Sequence, residues 1–265
     1  YDTVSRCMTH GVMGSTPWCK LDKVKFLCPV PGYDRHFAIT QAFGIEMINI
    51  PLYEDGPDMD MVEELVNNDP AVKGIWCVPK YSNPTGTSYS DETVLRFANL
   101  KPAADDFRIY WDNAYCVHHL YSDKQDVILN IIAECEEAGN PDIVFEFCST
   151  SKVTFPGAGI AALASSKKNI DDIKKQLTIQ TIGYDKTNQR RHVLYFKNFN
   201  GIKNHMEKQA DIIRPKFALV DEILSAEVKS RGIGNWVNPV GGYFICFESL
   251  EGCAKEIVAK CKEAG

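Results

Sequence analysis

Short apolar runs alternate with segments of helical periodicity along the first 165 residues of the chain. The apolar runs are too hydrophobic to leave one face in water, and they lie at 25–28, 46–50, 72–78, 108–111 and 143–147. Between them, helical spacing of apolar residues covers 35–43, 59–66, 90–100 and 127–138, with Asp58 and Ser90 as N-caps. Buried strands separated by helices are typical of a parallel sheet covered on both sides. The pattern therefore predicts an α/β fold with a mainly parallel sheet between helices.

After residue 165 the pattern becomes mainly helical. Helical periodicity covers 169–181, 188–196 and 204–231, with Pro215 as an interruption, and runs at 236–239 and 242–247 predict an antiparallel strand pair before a last helix at 252–264. We therefore expect a large domain over residues 1–200, followed over 201–265 by a linking helix and the start of a smaller α+β domain. The chain begins with Tyr1 rather than Met and ends in a helical pattern. From this we expect that both domains are cut and that the N-terminal part of the large one is missing.

The composition is that of an ordinary globular protein, and it narrows the possible functions. Of the 265 residues, 45% are hydrophobic and 24% are charged, and the net charge of −6 argues against a nucleic-acid or membrane surface as the main partner. The ten cysteines include no Cys-x-x-Cys pair, so we expect a reducing, cytoplasmic compartment. His10, His118 and His119 have no partners at metal-ligand spacing, and we expect no metal site.

One segment contains several side chains that could take part in catalysis or bind a cofactor. Ser149 and Ser151 precede Lys152, and the lysine lies between the apolar runs 143–147 and 160–164, which we interpret as buried strands. A lysine that burial desolvates has a lowered pKa and becomes an amine nucleophile. The aldehyde that enzymes most often attach to such a lysine is pyridoxal 5'-phosphate (PLP), whose phosphate the two serines would bind. A solvated lysine in a serine-rich turn remains the alternative.

Four further residues follow predicted strands or turns and match the remaining needs of PLP. Asp112 ends the strand at 108–111 and could keep the pyridine nitrogen protonated, while Tyr115 and Asn83 could donate hydrogen bonds to the ring oxygen. Tyr33, in a Pro-Gly-Tyr loop, could stack on the ring. Each also has a structural interpretation: a helix N-cap for Asp112, an Asn-Pro turn for Asn83 and a surface turn for Tyr33. In parallel sheets these loops meet beyond the carboxyl ends of the strands, which favours a single site.

The order of these motifs along the chain resembles a known family. An aromatic residue, Asn-Pro-Thr-Gly, Asp-x-x-Tyr and Ser-x-Ser-Lys follow one another as in the fold type I, class I/II PLP-dependent aminotransferases. The resemblance is to the aspartate-aminotransferase-like branch, and it is carried by residues 29–36, 82–86, 111–118, 149–159 and 239–244. It covers essentially the whole chain and implies a PLP-dependent transferase fold.

The resemblance implies an activity and a role for each site residue. The activity would be transfer of an amino group between an α-amino acid, with aspartate as a candidate, and a 2-oxo acid, in a homodimer. Lys152 would bind PLP covalently and move the substrate's Cα proton. Asp112 would pair with the pyridinium, and His36 would lie behind Asp112. The other implied contacts are those to the ring oxygen, the ring face and the phosphate, made by Asn83 and Tyr115, by Tyr33, and by Ser149 and Ser151.

Two features depart from the family pattern. Ile160 stands where many relatives have a phosphate-binding arginine, and Lys186, Asn188 and Gln189, from a neighbouring subunit, are candidate replacements. The glycine- and serine-rich phosphate turn and the arginine for the substrate carboxylate are not found in this span. A PLP-dependent lyase or decarboxylase, a PLP-binding effector domain of a transcriptional regulator, and an inert fragment therefore stay open as alternatives.

Overall fold

The computed structural model describes residues 1–265 and contains one large sheet, one small sheet and nine α-helices. The strands are β1 (Lys25–Val30), β2 (Glu46–Tyr53), β3 (Gly56–Pro57), β4 (Val72–Cys77), β5 (Arg108–Asp112), β6 (Val144–Ser149), β7 (Ala161–Ala164), β8 (Gly234–Trp236) and β9 (Phe247–Ser249). The helices are α1 (Asp2–His10), α2 (Asp34–Ala42), α3 (Met59–Asn68), α4 (Asp91–Ala98), α5 (Ile131–Glu137), α6 (Lys167–Gln180), α7 (Lys186–Phe196), α8 (Phe199–Glu227) and α9 (Ala254–Ala264).

The large sheet has seven strands in the order β3-β2-β1-β4-β5-β6-β7. The five strands from β2 to β6 pair in parallel, whereas β3 and β7 pair antiparallel at the two edges. The prediction of an α/β fold with a mainly parallel sheet is therefore confirmed. The four strands β1, β4, β5 and β6 are neighbours, so the loops after their carboxyl ends lie side by side.

Alternate side chains of the central strands enter two separate cores. Ile75 and Ile109 belong to a core of 21 buried residues, which α3, α4 and α5 also line. Phe26, Trp76 and Tyr110 point to the opposite face and belong to a core of 11 buried residues beneath α1. Burial on both faces explains why these strands are mainly apolar instead of alternating regularly with polar residues.

Side-chain caps determine where several helices begin. Asp58 accepts a hydrogen bond from the N–H of Met61, as predicted, and Ser90 caps α4 in the same way. The predicted start of α5 at residue 127 is wrong, because the helix begins at Ile131. The Asn130 side chain accepts from two N–H groups of the first turn, which makes Asn130 the N-cap and leaves residues 127–129 outside the helix.

Two further sequence predictions need correction. The strand pair near the C-terminus consists of β8 and β9, so 237–239 and 242–246 are loops where strands were predicted. The apolar run at 160–164 forms β7, which is an exposed edge strand rather than a buried one. Lys152 therefore follows a partly buried strand and precedes an exposed one.

No helix is long and apolar enough to cross a membrane.

Candidate active site

The predicted site residues meet at the carboxyl ends of the central strands. Tyr33 follows β1, Asn83 lies in the loop after β4, Asp112 is the last residue of β5, and Ser149 is the last of β6. Because these four strands are adjacent and parallel, their carboxyl ends open into the same crevice, where ligands of such sheets bind. The crevice therefore brings together groups that are up to about 120 residues apart in the chain.

The amine of Lys152 lies between two aromatic rings. Its Nζ is 4.8 Å from the ring centroid of Tyr115 and 5.8 Å from that of Tyr33. Lys152 itself is half-buried in the turn that follows β6, and its amine forms no ion pair with a carboxylate of the chain. An ammonium group over aromatic faces is stabilised electrostatically, and this one remains available for a further partner.

The hydroxyl of Tyr115 is buried and has no hydrogen-bond partner. Burial raises the pKa of Tyr115, and the negative charge of Asp112 acts in the same direction. The phenol therefore stays protonated at neutral pH and can donate a hydrogen bond. Buried polar groups without partners are rare, and they often mark a place that a ligand completes.

Asp112 is held by a histidine from α2. The Nε2 atom of His36 lies 2.9 Å from Oδ2 of Asp112, and the carboxylate keeps 27% of its side-chain surface exposed. The imidazole ring of His36 stacks on Trp76 with a centroid distance of 4.4 Å. Trp76 in turn donates from Nε1 to Oγ1 of Thr40, at 2.8 Å. A chain of contacts thus orients the carboxylate, and its other oxygen, Oδ1, makes no hydrogen bond within the protein.

Tyr33 and Asn83 line the same side of the crevice. The ring of Tyr33 meets that of His36 edge-on, with centroids 5.1 Å apart. Asn83 lines a small cavity together with Tyr33 and His36, and its side-chain amide makes no hydrogen bond within the chain. Both residues are half-buried. Their exposed polar groups can therefore reach a molecule in the crevice.

The turn at the end of β6 presents two serine hydroxyls. The N–H of Ser151 donates to Oγ of Ser149 at 3.3 Å, which folds the turn tightly. Gly159 packs directly against this turn, since a Cβ atom at that position would lie 2.6 Å from Oγ of Ser151. The hydroxyl of Thr150 accepts from the N–H of Ile160 at 2.8 Å and contacts Nε2 of His192 at 2.8 Å.

The candidate replacements for the phosphate arginine are not equivalent. The side-chain amide of Asn188 donates to the carbonyl oxygen of Ala158 at 2.8 Å, so it is already used in holding the turn. Ile160 bonds through its backbone and carries no charge. Lys186 and Gln189 are exposed on α7.

Several residues around Lys152 were missed by sequence reasoning. His118 and Tyr243 contact the peptide of Lys152, while His205 and Gln209 of α8 contact the peptide of Val153. His118 was interpreted only as a non-metal histidine, although it ends the motif at 111–118. Tyr243 lies in the motif at 239–244, and this was the one available signal for it. His205 and Gln209 carry no motif and were not predictable.

The side chains that line the crevice have the chemical groups that binding of PLP requires. An amine without a counter-ion could bond its aldehyde, and a buried phenol without a partner could donate to its ring oxygen. A carboxylate with one unoccupied oxygen could pair with its ring nitrogen. The supporting observation is that the ring of Tyr115 is packed by His118 and Tyr243, whereas its buried hydroxyl has no hydrogen-bond partner.

Comparisons with known proteins find similarity over the whole chain. The family model described as "Aspartate amino-transferase" matches residues 1–265. A protein of Corynebacterium glutamicum named aspartate aminotransferase is 44% identical over the whole chain, and the crystal structure of an aspartate transaminase from that organism superposes with a TM-score of 0.96. The chain spans 61% of the first of these proteins and 62% of the second.

A more distant structure shares the fold. The α-aminoadipate aminotransferase LysN of Thermus thermophilus, complexed with N-(5'-phosphopyridoxyl)-L-leucine, superposes with a TM-score of 0.75 at 21% identity, covering 91% of this chain and 60% of its own. At this identity the likeness extends to the fold alone.

Proposed function

The chain belongs to the aspartate amino-transferase family, and from this premise we propose that the protein is a PLP-dependent aminotransferase. It would move an amino group between an α-amino acid and a 2-oxo acid. Lys152, Asp112 and Tyr115 are the proposed catalytic residues. The proposed cofactor contacts add Tyr33, Asn83, Ser149 and Ser151.

The proposed roles follow from the chemistry of each side chain. PLP, when bound, supplies withdrawal of electrons from the Cα atom of the amino acid, which makes the Cα proton labile. Lys152 would hold PLP at its aldehyde carbon, and its amine would take the Cα proton and return it during the transfer. Asp112 would keep a proton on the ring nitrogen through the charge of its carboxylate. Tyr115 and Asn83 would donate to the ring oxygen, and Tyr33 would cover the ring face and exclude water.

The observation that carries this proposal is the position of the Lys152 amine. It lies 4.8 Å from the ring centroid of Tyr115, whose buried hydroxyl has no partner, and it has no carboxylate counter-ion. A structural lysine in a half-buried site would gain from a salt bridge or hydrogen bonds. An amine left unpaired beside an unpaired phenol is better explained by a shared ligand that bonds both.

The substrate, assembly and location are also proposals. Aspartate is the proposed amino donor, since the relative from C. glutamicum carries that name. A homodimer is proposed, with residues of the neighbouring subunit available for the phosphate. All ten cysteines are free, which supports a reducing, cytoplasmic compartment. Residues 1–200 are proposed as the PLP-binding domain, and residues 201–265 as the start of a second domain.

An absorption experiment on the full-length protein tests the function. The purified protein is mixed with PLP, and its visible spectrum is recorded before and after addition of aspartate and other amino acids. We expect a band of covalently bound PLP that aspartate removes, and we expect Lys152→Ala to abolish both the band and transamination. The matched control is Lys174→Ala, because Lys174 is exposed on α6 and should leave both unchanged.

Product analysis separates the proposal from its alternatives. An aminotransferase yields a new amino acid from an added 2-oxo acid, whereas a lyase yields pyruvate and a thiol without an acceptor. A regulator's effector domain would show the band but no turnover. Transamination that survives in Lys152→Ala would remove this residue from the mechanism.

A further inference from the structure

Four side chains converge on two consecutive peptide oxygens at the lysine. The carbonyl oxygen of Lys152 accepts from Oη of Tyr243 at 2.8 Å and from Nε2 of His118 at 3.3 Å. The next carbonyl oxygen, of Val153, accepts from Nε2 of His205 at 2.8 Å and from Nε2 of Gln209 at 2.8 Å. A carbonyl has two lone pairs, so both oxygens are saturated by side chains. We call these four residues the carbonyl clamp.

The clamp draws its members from three separate parts of the chain. His118 lies in the loop after β5, His205 and Gln209 lie on α8, and Tyr243 lies in the loop between β8 and β9. Tyr243 also reaches Oε1 of Gln209 at 3.2 Å, which links two of its members. Turn carbonyls are usually satisfied by backbone groups or water, and a long-range clamp on two of them is a specific arrangement.

The clamp is in direct contact with the rings that hold the Lys152 amine. The rings of His118 and Tyr243 meet edge-on at 5.2 Å, and the ring of Tyr115 meets them at 5.4 Å and 6.1 Å. Tyr115 is also the ring over which the Lys152 amine lies. The backbone and the amine of one lysine are therefore held by a single aromatic cluster.

The protonation state of His118 suits its place in the clamp. Burial lowers the pKa of His118 to about 4, so the ring is neutral at physiological pH. The contact with the Lys152 carbonyl requires the proton to be on Nε2. The other nitrogen, Nδ1, carries no proton in this tautomer and is buried without a partner.

We propose that Tyr243 is a positioning residue for Lys152. Its hydroxyl holds the lysine peptide so that the amine stays over the ring of Tyr115, and it ties the loop between β8 and β9 to the catalytic turn. This inference rests on the proposed function, in which the Lys152 amine bonds PLP. Tyr243 itself is assigned no contact with the substrate or the coenzyme.

The test replaces only the hydroxyl, in full-length Tyr243→Phe, with Tyr184→Phe as the matched control. Tyr184 is 58% exposed and its hydroxyl has no partner, so removing this hydroxyl should leave hydrogen exchange, PLP capture and kcat unchanged. Hydrogen exchange is measured with and without PLP at the N–H groups of Val153 and Thr154, which both donate to the carbonyl oxygen of Thr150. Losing one hydrogen bond should speed this exchange about three- to tenfold.

Two further readouts separate positioning from general support of the fold. In Tyr243→Phe we expect the rate of covalent PLP capture, followed as the visible band, and kcat to fall about tenfold, while KM for the amino acid changes less than about twofold. A melting curve checks that the variant is folded. Faster exchange together with slower capture supports the proposal.

Two outcomes would overturn it. Unchanged exchange would show that the hydroxyl does not hold the turn. Faster exchange with unchanged capture and kcat would make Tyr243 a structural anchor without a positioning role. If the unaltered protein took up no PLP while exchange in Tyr243→Phe still rose, the function proposed above would fail, and the hold of Tyr243 on the lysine peptide would be supported.

Discussion

Nε2 of His36 lies 2.9 Å from Oδ2 of Asp112, although the two residues are 76 positions apart in the chain. The histidine is itself immobilised, since its ring stacks on Trp76. One carboxylate oxygen is thereby bound within the protein, and the other remains available. This arrangement is suited to a carboxylate that must face a cationic ring nitrogen in a fixed orientation.

Asp112→Ala should separate coenzyme binding from turnover. The variant should retain part of the bound PLP through Lys152, but it should lose on the order of 10²-fold in kcat because the charge that holds the ring-nitrogen proton is gone. Spectral titration with PLP and steady-state kinetics measure the two effects. Asp123→Ala, at an exposed position, is the control. A fully active Asp112→Ala protein would remove Asp112 from the catalytic residues.

His36→Phe should have a smaller effect on the same step. The phenyl ring can keep the stacking on Trp76, but it cannot bond Asp112, so the carboxylate loses its orientation. Losing this one hydrogen bond to a charged group should lower kcat about tenfold, with PLP still bound. His10→Phe, at an exposed site on α1, should leave kcat unchanged. The role in orientation would be refuted if the two variants had equal kcat.

Stability should fall as the pH decreases from about 6.5 toward 4. Burial lowers the pKa of His118 to about 4, below the ordinary value of about 6.5, so the unfolded chain binds the proton more readily than the folded one. The contribution of His118 to the free energy of unfolding is complete above about pH 6.5. It decreases at up to ~1.4 kcal/mol per pH unit as acid protonates this residue in the unfolded chain.

Urea midpoints between pH 7 and pH 4.5 measure this slope, and His118→Asn should flatten it. His119, whose pKa burial also lowers to about 4, keeps part of the slope in that variant. If stability depended equally on pH in the unaltered protein and in His118→Asn, His118 would not be the cause of the loss of stability in acid.

Asp106→Ala should strongly destabilise the protein. This buried carboxylate bonds the ammonium of Lys73, Nε1 of Trp18 at 2.8 Å and Oγ of Ser15 at 3.2 Å. Removing it leaves the buried Lys73 charge without a partner, which typically costs about 3–5 kcal/mol. Chemical denaturation gives the change in free energy of unfolding. Asp105→Ala is the matched control, because the neighbouring Asp105 is exposed, and it should be near neutral.

The strands of the sheet were predictable because a buried strand has an apolar local sequence. The runs at 72–78, 108–111 and 143–147 form β4, β5 and β6, since side chains buried on both faces are mainly apolar. The N-caps Asp58 and Ser90 were predictable for a similar reason, as a cap bonds N–H groups only two or three residues away. The start of α5 was missed because the capping strength of Asn130 competed with apolar periodicity that extends before it.

The sequence by itself determined the fold class and the order of residues from Tyr33 to Lys152 that could carry the chemistry. Only the tertiary structure decided that His36 bonds Asp112, that the Tyr115 hydroxyl is buried without a partner, and that the carbonyl clamp holds the lysine turn. Periodicity reports the environment of each segment, but it does not report which segments become neighbours. That choice depends on the order of strands in the sheet and on the path of α8, and both are set by packing between residues far apart in the chain.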